Sequence, residues 1–258
     1  MALRAWALVA FLSLAAAQGY QVGGYGLGGT ATLYLGLYGV WPWEGGHLTL
    51  SLAPYLRLPG GEAGLSVERL SLSLFEGPWG LEVGRFPLSL GVGRLFPFAL
   101  GEPSPGLGEV GVVGGGLTWY GERGAVRAGL AWKEGGFLEV RLPPFWAYAY
   151  SRGLGLVAEA LWEGVVLYGE GRLASAQAQG LLGAAWRFEE ALFTLEARYP
   201  FALGLGVEAG LEGLGVAVRA LYEGGLRVGL GLLGEGWRGW VGSGPGGLSW
   251  GFAVSGDF

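Results

Sequence analysis

The chain has 258 residues, 16 Lys and Arg against 21 Asp and Glu for a formal charge of −5, no cysteine and 55 glycines. The acidic balance argues against nucleic acid as a partner, and without cysteine an exported chain must hold together without disulfides. Hydrophobic residues make up 51%, yet past the N-terminal segment no apolar run approaches the roughly 18 residues of a membrane helix, and so much glycine opposes long helices.

The first element is "MALRAWALVAFLSLAAAQG". Arg4 precedes an apolar run from Ala5 to Leu14, and Ala15-Ala16-Ala17 offers a small-residue cleavage site. The pattern predicts a secretory signal peptide over residues 1–17, with an apolar run too short for an anchor. Residues 18–258 are then one domain, and the loss of Arg4 takes its charge to one below the −5 of the full chain. In lipid every backbone polar group must be bonded within the protein, so an apolar, exported chain without a spanning helix points to a closed β-barrel. Asn and Ile are absent and Lys133 is the one lysine; these absences reflect base composition and say little about function.

Short pieces with a period of two follow at about 31–41, 47–58, 65–76, 79–91, 108–120, 123–133 and 136–142. The phase slips near Arg69 and near Arg85-Phe86, which predicts bulges or misplaced boundaries there. Two connections are long: "VGRLFPFALGEPSPG" (92–106), too apolar for an ordinary solvated loop, and the aromatic, Pro-rich "PPFWAYAYSRG" (143–153). Seven further pieces fill 154–232, divided by turns such as "WEGV", "FEEA", "LEGL" and "YEGG", which are short and Gly- or Glu-bearing like hairpin connections. One alternate set in these pieces is uncharged, for example Leu154, Leu156, Ala158, Ala160 and Trp162, or Leu203, Leu205, Val207, Ala209 and Leu211. The opposite set carries the charges. With 236–243 and 247–258, sixteen strands result, with fourteen as the alternative.

Alternation alone does not say which face is inside. A membrane barrel turns its apolar set to lipid and its polar set to the lumen. Terminal aromatics (Trp119, Trp132, Trp162, Tyr199, Tyr222, Trp250) suit interfacial girdles, and glycine on the charged face leaves room for Arg side chains. The chain ends "GGLSWGFAVSGDF", with Trp250, Phe252, Val254 and Phe258 in one alternate set. This last strand resembles the C-terminal signature of bacterial outer-membrane β-barrels. The resemblance implies a transmembrane, antiparallel, up-and-down barrel in the outer membrane. It also implies that Trp250, Phe252, Val254 and Phe258 are read by the outer-membrane assembly machinery, and that the last strand pairs with the first.

Catalysis is poorly supplied. His47 and Asp257 are the single residues of their types, so a Ser-His-Asp arrangement has little to build on, and no metal or cofactor is expected. "GLGEVG" (106–111) matches G-x-G-x-x-G in letters but precedes "VVGGG" rather than a helix, and Lys133-Glu134 excludes a P-loop. What remains is the inner charge set: Arg57, Arg127, Glu139, Arg141, Glu159, Glu170, Arg172, Arg187, Glu196, Arg198, Glu208, Arg219 and Arg227. A barrel of about sixteen strands leaves a channel, so these residues are expected to line a pore, with Arg172, Arg187, Arg198, Arg219 and Arg227 as a positive wall. The function expected is a porin-like channel, not an enzyme, for passive diffusion of small polar or anionic solutes, with lipid, the assembly machinery and those solutes as partners. The alternatives are a closed barrel that anchors the envelope or binds a lipidic ligand and, third, an outer-membrane enzyme. Porins often fold one long loop into the lumen, and 92–106 is the candidate. From a periplasmic N-terminus, four strands precede it and set it on the periplasmic side. Either that strand count is off by one or the loop is a periplasmic plug.

Overall fold

A computed structural model describes residues 17–96, 99–100, 102–103, 109–175, 177–211 and 213–257. The signal-peptide reading up to residue 16, Phe258 and parts of 92–106 lie outside the described residues. The described residues form one 18-stranded antiparallel sheet and two short two-stranded ones, Leu88–Ser89 with Ala99–Leu100 and Glu102–Pro103 with Glu109–Val110. The strands of the large sheet are β1 Gly19–Leu27, β2 Thr30–Trp43, β3 Gly46–Leu58, β4 Glu62–Glu76, β5 Trp79–Phe86, β6 Val112–Gly121, β7 Gly124–Ala131, β8 Gly135–Leu142 and β9 Phe145–Tyr150. They continue with β10 Gly153–Trp162, β11 Val165–Ala174, β12 Gln177–Phe188, β13 Ala191–Tyr199, β14 Ala202–Leu211, β15 Leu214–Tyr222, β16 Leu226–Gly234, β17 Trp237–Gly244 and β18 Gly247–Asp257. Each strand pairs with the next, and β1 pairs with β18 from Gly19↔Asp257 to Leu27↔Ser249, which closes the barrel.

Eighteen strands correct the expected sixteen at two places. Gly19–Leu27 is a strand although only Tyr20, Val22, Tyr25 and Leu27 break its run of glycine and polar residues, because β2 and β18 flank it on both sides. Phe145–Tyr150, inside the supposed connection 143–153, pairs with β8 and β10. The missing first strand also settles parity: five strands precede the long connection, which therefore leaves the barrel at the end opposite the termini.

The predicted alternation holds. Leu154, Leu156, Ala158, Ala160 and Trp162 pair with Leu173, Gly171, Gly169, Leu167 and Val165, so one apolar face runs unbroken from strand to strand. That face looks outward: Leu156 is 64% and Leu182 72% exposed, while Val157 and Leu181 on the other face are buried. This is the inverted burial of a membrane barrel, and aromatics ring both ends of it. Trp119 and Trp162 stand near the end that carries the termini; Trp132, Tyr199, Tyr222 and Trp250 stand near the other. Hairpin turns match their letters. Glu163 and Gly164 of "WEGV" both take positive φ (48° and 82°), the pair of values a two-residue turn needs to follow strand twist.

The slip near Arg69 is a bulge. Ser51 pairs with Arg69 but Leu52 with Val67, so Glu68 is the extra residue, and its carbonyl accepts the Gly111 N–H. No bulge follows at Arg85-Phe86, where the register with β4 and β6 runs on. Arg85 instead takes an outer-face position and its guanidinium donates to the Val67 carbonyl at 3.2 Å, while Phe86 turns inward, fully buried.

The hydrophobic core lies inside the barrel. Phe86, Leu88 and Leu90 pack against Val112, Ala131, Phe137, Tyr148 and Val157. Further along, Val92 and Phe96 pack on Tyr168, Leu181 and Ala185. The segment from 87 to 96 thus leaves β5 and crosses the inner face of β6 to β12. Its apolar composition is explained: it is covered by the wall on which it lies. The "GLGEVG" stretch is followed by strand β6, not by a helix.

Candidate functional site: a lumen narrowed by an inward loop

Two wall carboxylates hold the loop. Glu196 of β13 accepts backbone N–H groups from Arg94, from Leu95 at 2.9 Å and from Phe96 at 2.9 Å, together with the Tyr168 hydroxyl at 2.6 Å. Its exposure is 0%. A carboxylate so deep is tolerated only with its acceptor capacity filled, and four donors fill it. Glu170 of β11 accepts the Val92 N–H at 3.1 Å and the Tyr148 hydroxyl, and lies 4.0 Å from Arg172. Each site is a Tyr and a Glu two strands further on. The Arg94 guanidinium lies 5.2 Å over the Tyr168 ring and that of Arg198 lies 5.0 Å over Phe96, so cations cap both sides of the crossing. Space for the loop comes from β14: a Cβ at Gly204 would sit 2.9 Å from Leu95 Cδ1, and one at Gly206 3.1 Å from Leu95 Cδ2.

A second network lies on β4 to β8. Glu82 takes Arg69 at 3.0 Å and Arg127 at 3.2 Å, and Arg141 pairs with the buried Glu139 at 2.7 Å. The Arg127 guanidinium also stacks between Phe86 and Phe137, at 5.2 and 5.4 Å. These charges border a cavity of about 250 Å³ reaching toward the end with the termini. The other wall is different. Around β14 to β17 a cavity of about 650 Å³ remains, with Glu208, Arg219, Arg238 and Trp240 on a floor of mostly glycine and alanine. Arg219 and Glu208 pair there at 2.8 Å.

All thirteen residues of the predicted charge set stand on the strand face opposite the apolar one, but they do not form one ring. Arg127, Glu139 and Arg141 belong to the β4–β8 network, and Glu170, Arg172, Glu196 and Arg198 to the wall beneath the loop. Glu159 stands beside Tyr168 in the ladder. Glu208, Arg219 and Arg227 are on the wall facing the loop. Arg57 pairs with Glu62 at 3.2 Å on the rim opposite the termini. Arg187 pairs with Glu190 at 3.5 Å beside the turn at the end with the termini. The expected positive wall is therefore broken. Arg187 is at a mouth, Arg172 and Arg198 are beneath the loop, where Arg198 also pairs with Glu223, and only Arg219 and Arg227 face open space. Strand stagger separates residues that look aligned in a list of strands.

Sequence reading missed Tyr148 and Tyr168 as loop supports, Arg69 and Glu82 as a charge pair, and Arg238 and Trp240 on the open wall. Arg238 and Trp240 carried a usable signal, two residues apart in the short piece 236–243; Tyr148 had none, because its strand was read as a connection. Trp250, Phe252 and Val254 stand on the outer face of β18, with Trp250 and Phe252 stacked at 6.4 Å. Phe258 lies outside the described residues.

Solved structures share this fold. A mutant of Rh. blastica porin superposes with a TM-score of 0.53 at 13% identity, over 94% of this chain and 99% of that one. A triple mutant of Rhodopseudomonas blastica porin gives 0.52 at 12% identity, over 93% and 99%. A structure titled "Asymmetric conductivity of engineered proteins" gives 0.54 at 12% identity, over 94% and 99%. No protein-family model matches the chain, and no curated protein matches it. The shared architecture is that of a porin: an all-β, antiparallel, closed barrel.

Proposed function

We propose that the chain is an outer-membrane channel of the porin type, for passive diffusion of small polar or anionic solutes. One observation carries the reading: a closed barrel with an apolar outside and a charged inside keeps a cavity of about 650 Å³ beside a loop clamped into its lumen. A barrel built only as an anchor has no need of a loop held by two buried carboxylates while the facing wall keeps mostly small residues around a few charges. The loop sets the width of the passage, and the charges at its edge and on the facing wall set which ions pass.

The signal peptide over 1–17 would deliver the chain for export, and the β18 signature would hand it to the assembly machinery and then to lipid. No chemistry on the inner face calls for a catalytic role. Planar-bilayer recording tests the reading. The folded barrel is expected to give discrete conductance steps that scale with salt concentration; an absence of steps from correctly folded protein overturns it.

A further inference from the structure

The wall facing the loop carries an aromatic and a cation without a carboxylate partner side by side. Trp240 and Arg238 are two residues apart on β17, so they share the inner face about 7 Å apart. The indole lies flat on the barrel: a Cβ at Gly251 of β18 would be 1.9 Å from Trp240 Cζ2, so only glycine lets the ring rest on the neighbouring backbone. One ring face is spent on the wall and the other borders the 650 Å³ cavity. Glu208 is matched by Arg219 at 2.8 Å. Arg238 forms no ion pair with a carboxylate among the described residues, meets the Tyr34 hydroxyl, and keeps its buried Nε without a hydrogen-bond partner.

We propose that this wall is a binding subsite for a small anion attached to a planar ring, an aromatic carboxylate, with Trp240 as the stacking platform and Arg238 as the anion partner. The assignment rests on the channel reading above and deepens it by naming a solute class. Arg219 adds N–H donors not taken by Glu208. A bare inorganic anion would leave the exposed indole face unused, and a neutral ring would leave the Arg238 charge unmatched. A ligand with both groups joined satisfies the two at once, and the cavity is large enough for it. Diffusion past such a site becomes saturable, because a solute that pauses on Trp240 occupies the passage beside the loop.

The test uses the full folded barrel in planar bilayers with benzoate, acetate and benzamide as probes of chloride current. Benzoate is expected to block saturably, and acetate and benzamide each to need about tenfold higher concentration, as one of the two contacts is lost. Trp240→Ala and Arg238→Gln should each raise the half-blocking concentration of benzoate about tenfold. Trp240→Phe, which keeps a smaller ring, should recover part of the block and guards against a folding defect in Trp240→Ala. Calorimetric titration of benzoate into detergent-folded protein reads the same ranking without conduction. Missing conductance steps would defeat the channel reading, while the titration still decides the subsite. Block or binding by benzoate no stronger than by acetate, or unchanged in Trp240→Ala and Arg238→Gln, overturns the subsite.

Discussion

The inner wall divides into two unlike regions. From β4 to β13 it is crowded: carboxylates, tyrosines and arginines are matched to one another or to the loop, and aliphatic side chains lie under loop residues. From β15 to β17 the same alternation places glycine and alanine at most inner positions, with few charges between them. Strand geometry is the same in both, so the backbone does not account for the contrast. What differs is what each wall faces. A wall under a loop must satisfy that loop's backbone and bury its side chains, and so carries specific acceptors. A wall facing water needs only to stay clear.

The first way to break this comparison removes the barrel that both regions share. β18 closes onto β1, so a failure at that seam loses crowded and bare wall together. Phe258→Asp is expected to leave synthesis and export intact while abolishing insertion. Normal heat-modifiable protein in the outer-membrane fraction of that variant would refute the assembly role given to Trp250, Phe252, Val254 and Phe258.

A more selective change acts on the crowded wall. Glu196→Ala leaves three loop N–H groups and the Tyr168 hydroxyl without their acceptor. Each buried donor left unsatisfied costs about 1–3 kcal/mol, enough to release the loop. The expected result is a larger and noisier conductance with the barrel still folded. Glu196→Gln, which retains one acceptor oxygen, should fall between it and the natural protein. A conductance in Glu196→Ala equal to that of the natural protein would mean that the carboxylate does not hold the loop.

Inside and outside are compared next. Leu205→Arg puts a charge on the lipid face and should cost about 2–4 kcal/mol near the midplane. Ala217→Arg points into the open cavity and should cost much less. Gly206→Arg sharpens the contrast between the regions: it is also an inner position, but Leu95 lies over it, so it should fold and disturb conductance. Folding yields in lipid vesicles rank the three; lower tolerance of Ala217→Arg than of Leu205→Arg would show the faces to be reversed, and equal tolerance would show that neither faces lipid.

The bare region was the more legible in the sequence. Its strands alternate cleanly from 214 to 232, each charge on one face and each turn marked by Gly or Glu, because loop contacts do not blur the pattern there. The crowded region blurs. Inner positions there are aliphatic or aromatic, as at Val157, Tyr168 and Leu181, so period-two contrast weakens where the loop covers the strand, and Phe145–Tyr150 passed for a connection. The bulge at Glu68 was visible as a phase slip, since an extra residue moves every later side chain to the other face. Partnerships were not visible: that Glu196 meets the backbone of Arg94, Leu95 and Phe96 depends on contacts about a hundred residues apart.

The smallest effects concern single charges and ion preference. Arg187 lies at the mouth near the termini, is mostly exposed and is paired with Glu190. Its charge is offset locally and screened beyond roughly 10 Å at 0.1 M salt. Arg187→Gln should therefore leave the reversal potential unchanged. Arg219→Gln removes a charge beside the open cavity and frees Glu208 from its partner, so that wall gains a net negative group. The reversal potential should move toward cation preference by a few millivolts, and the shift should shrink as salt rises and the field reaches less far. Because Arg187 and Arg219 carry the same charge on the same strand face, a difference between the two variants can come only from their placement. A shift in Arg187→Gln larger than in Arg219→Gln would mean that the mouth, not the wall facing the loop, selects the ion, and equal shifts would mean that placement does not matter.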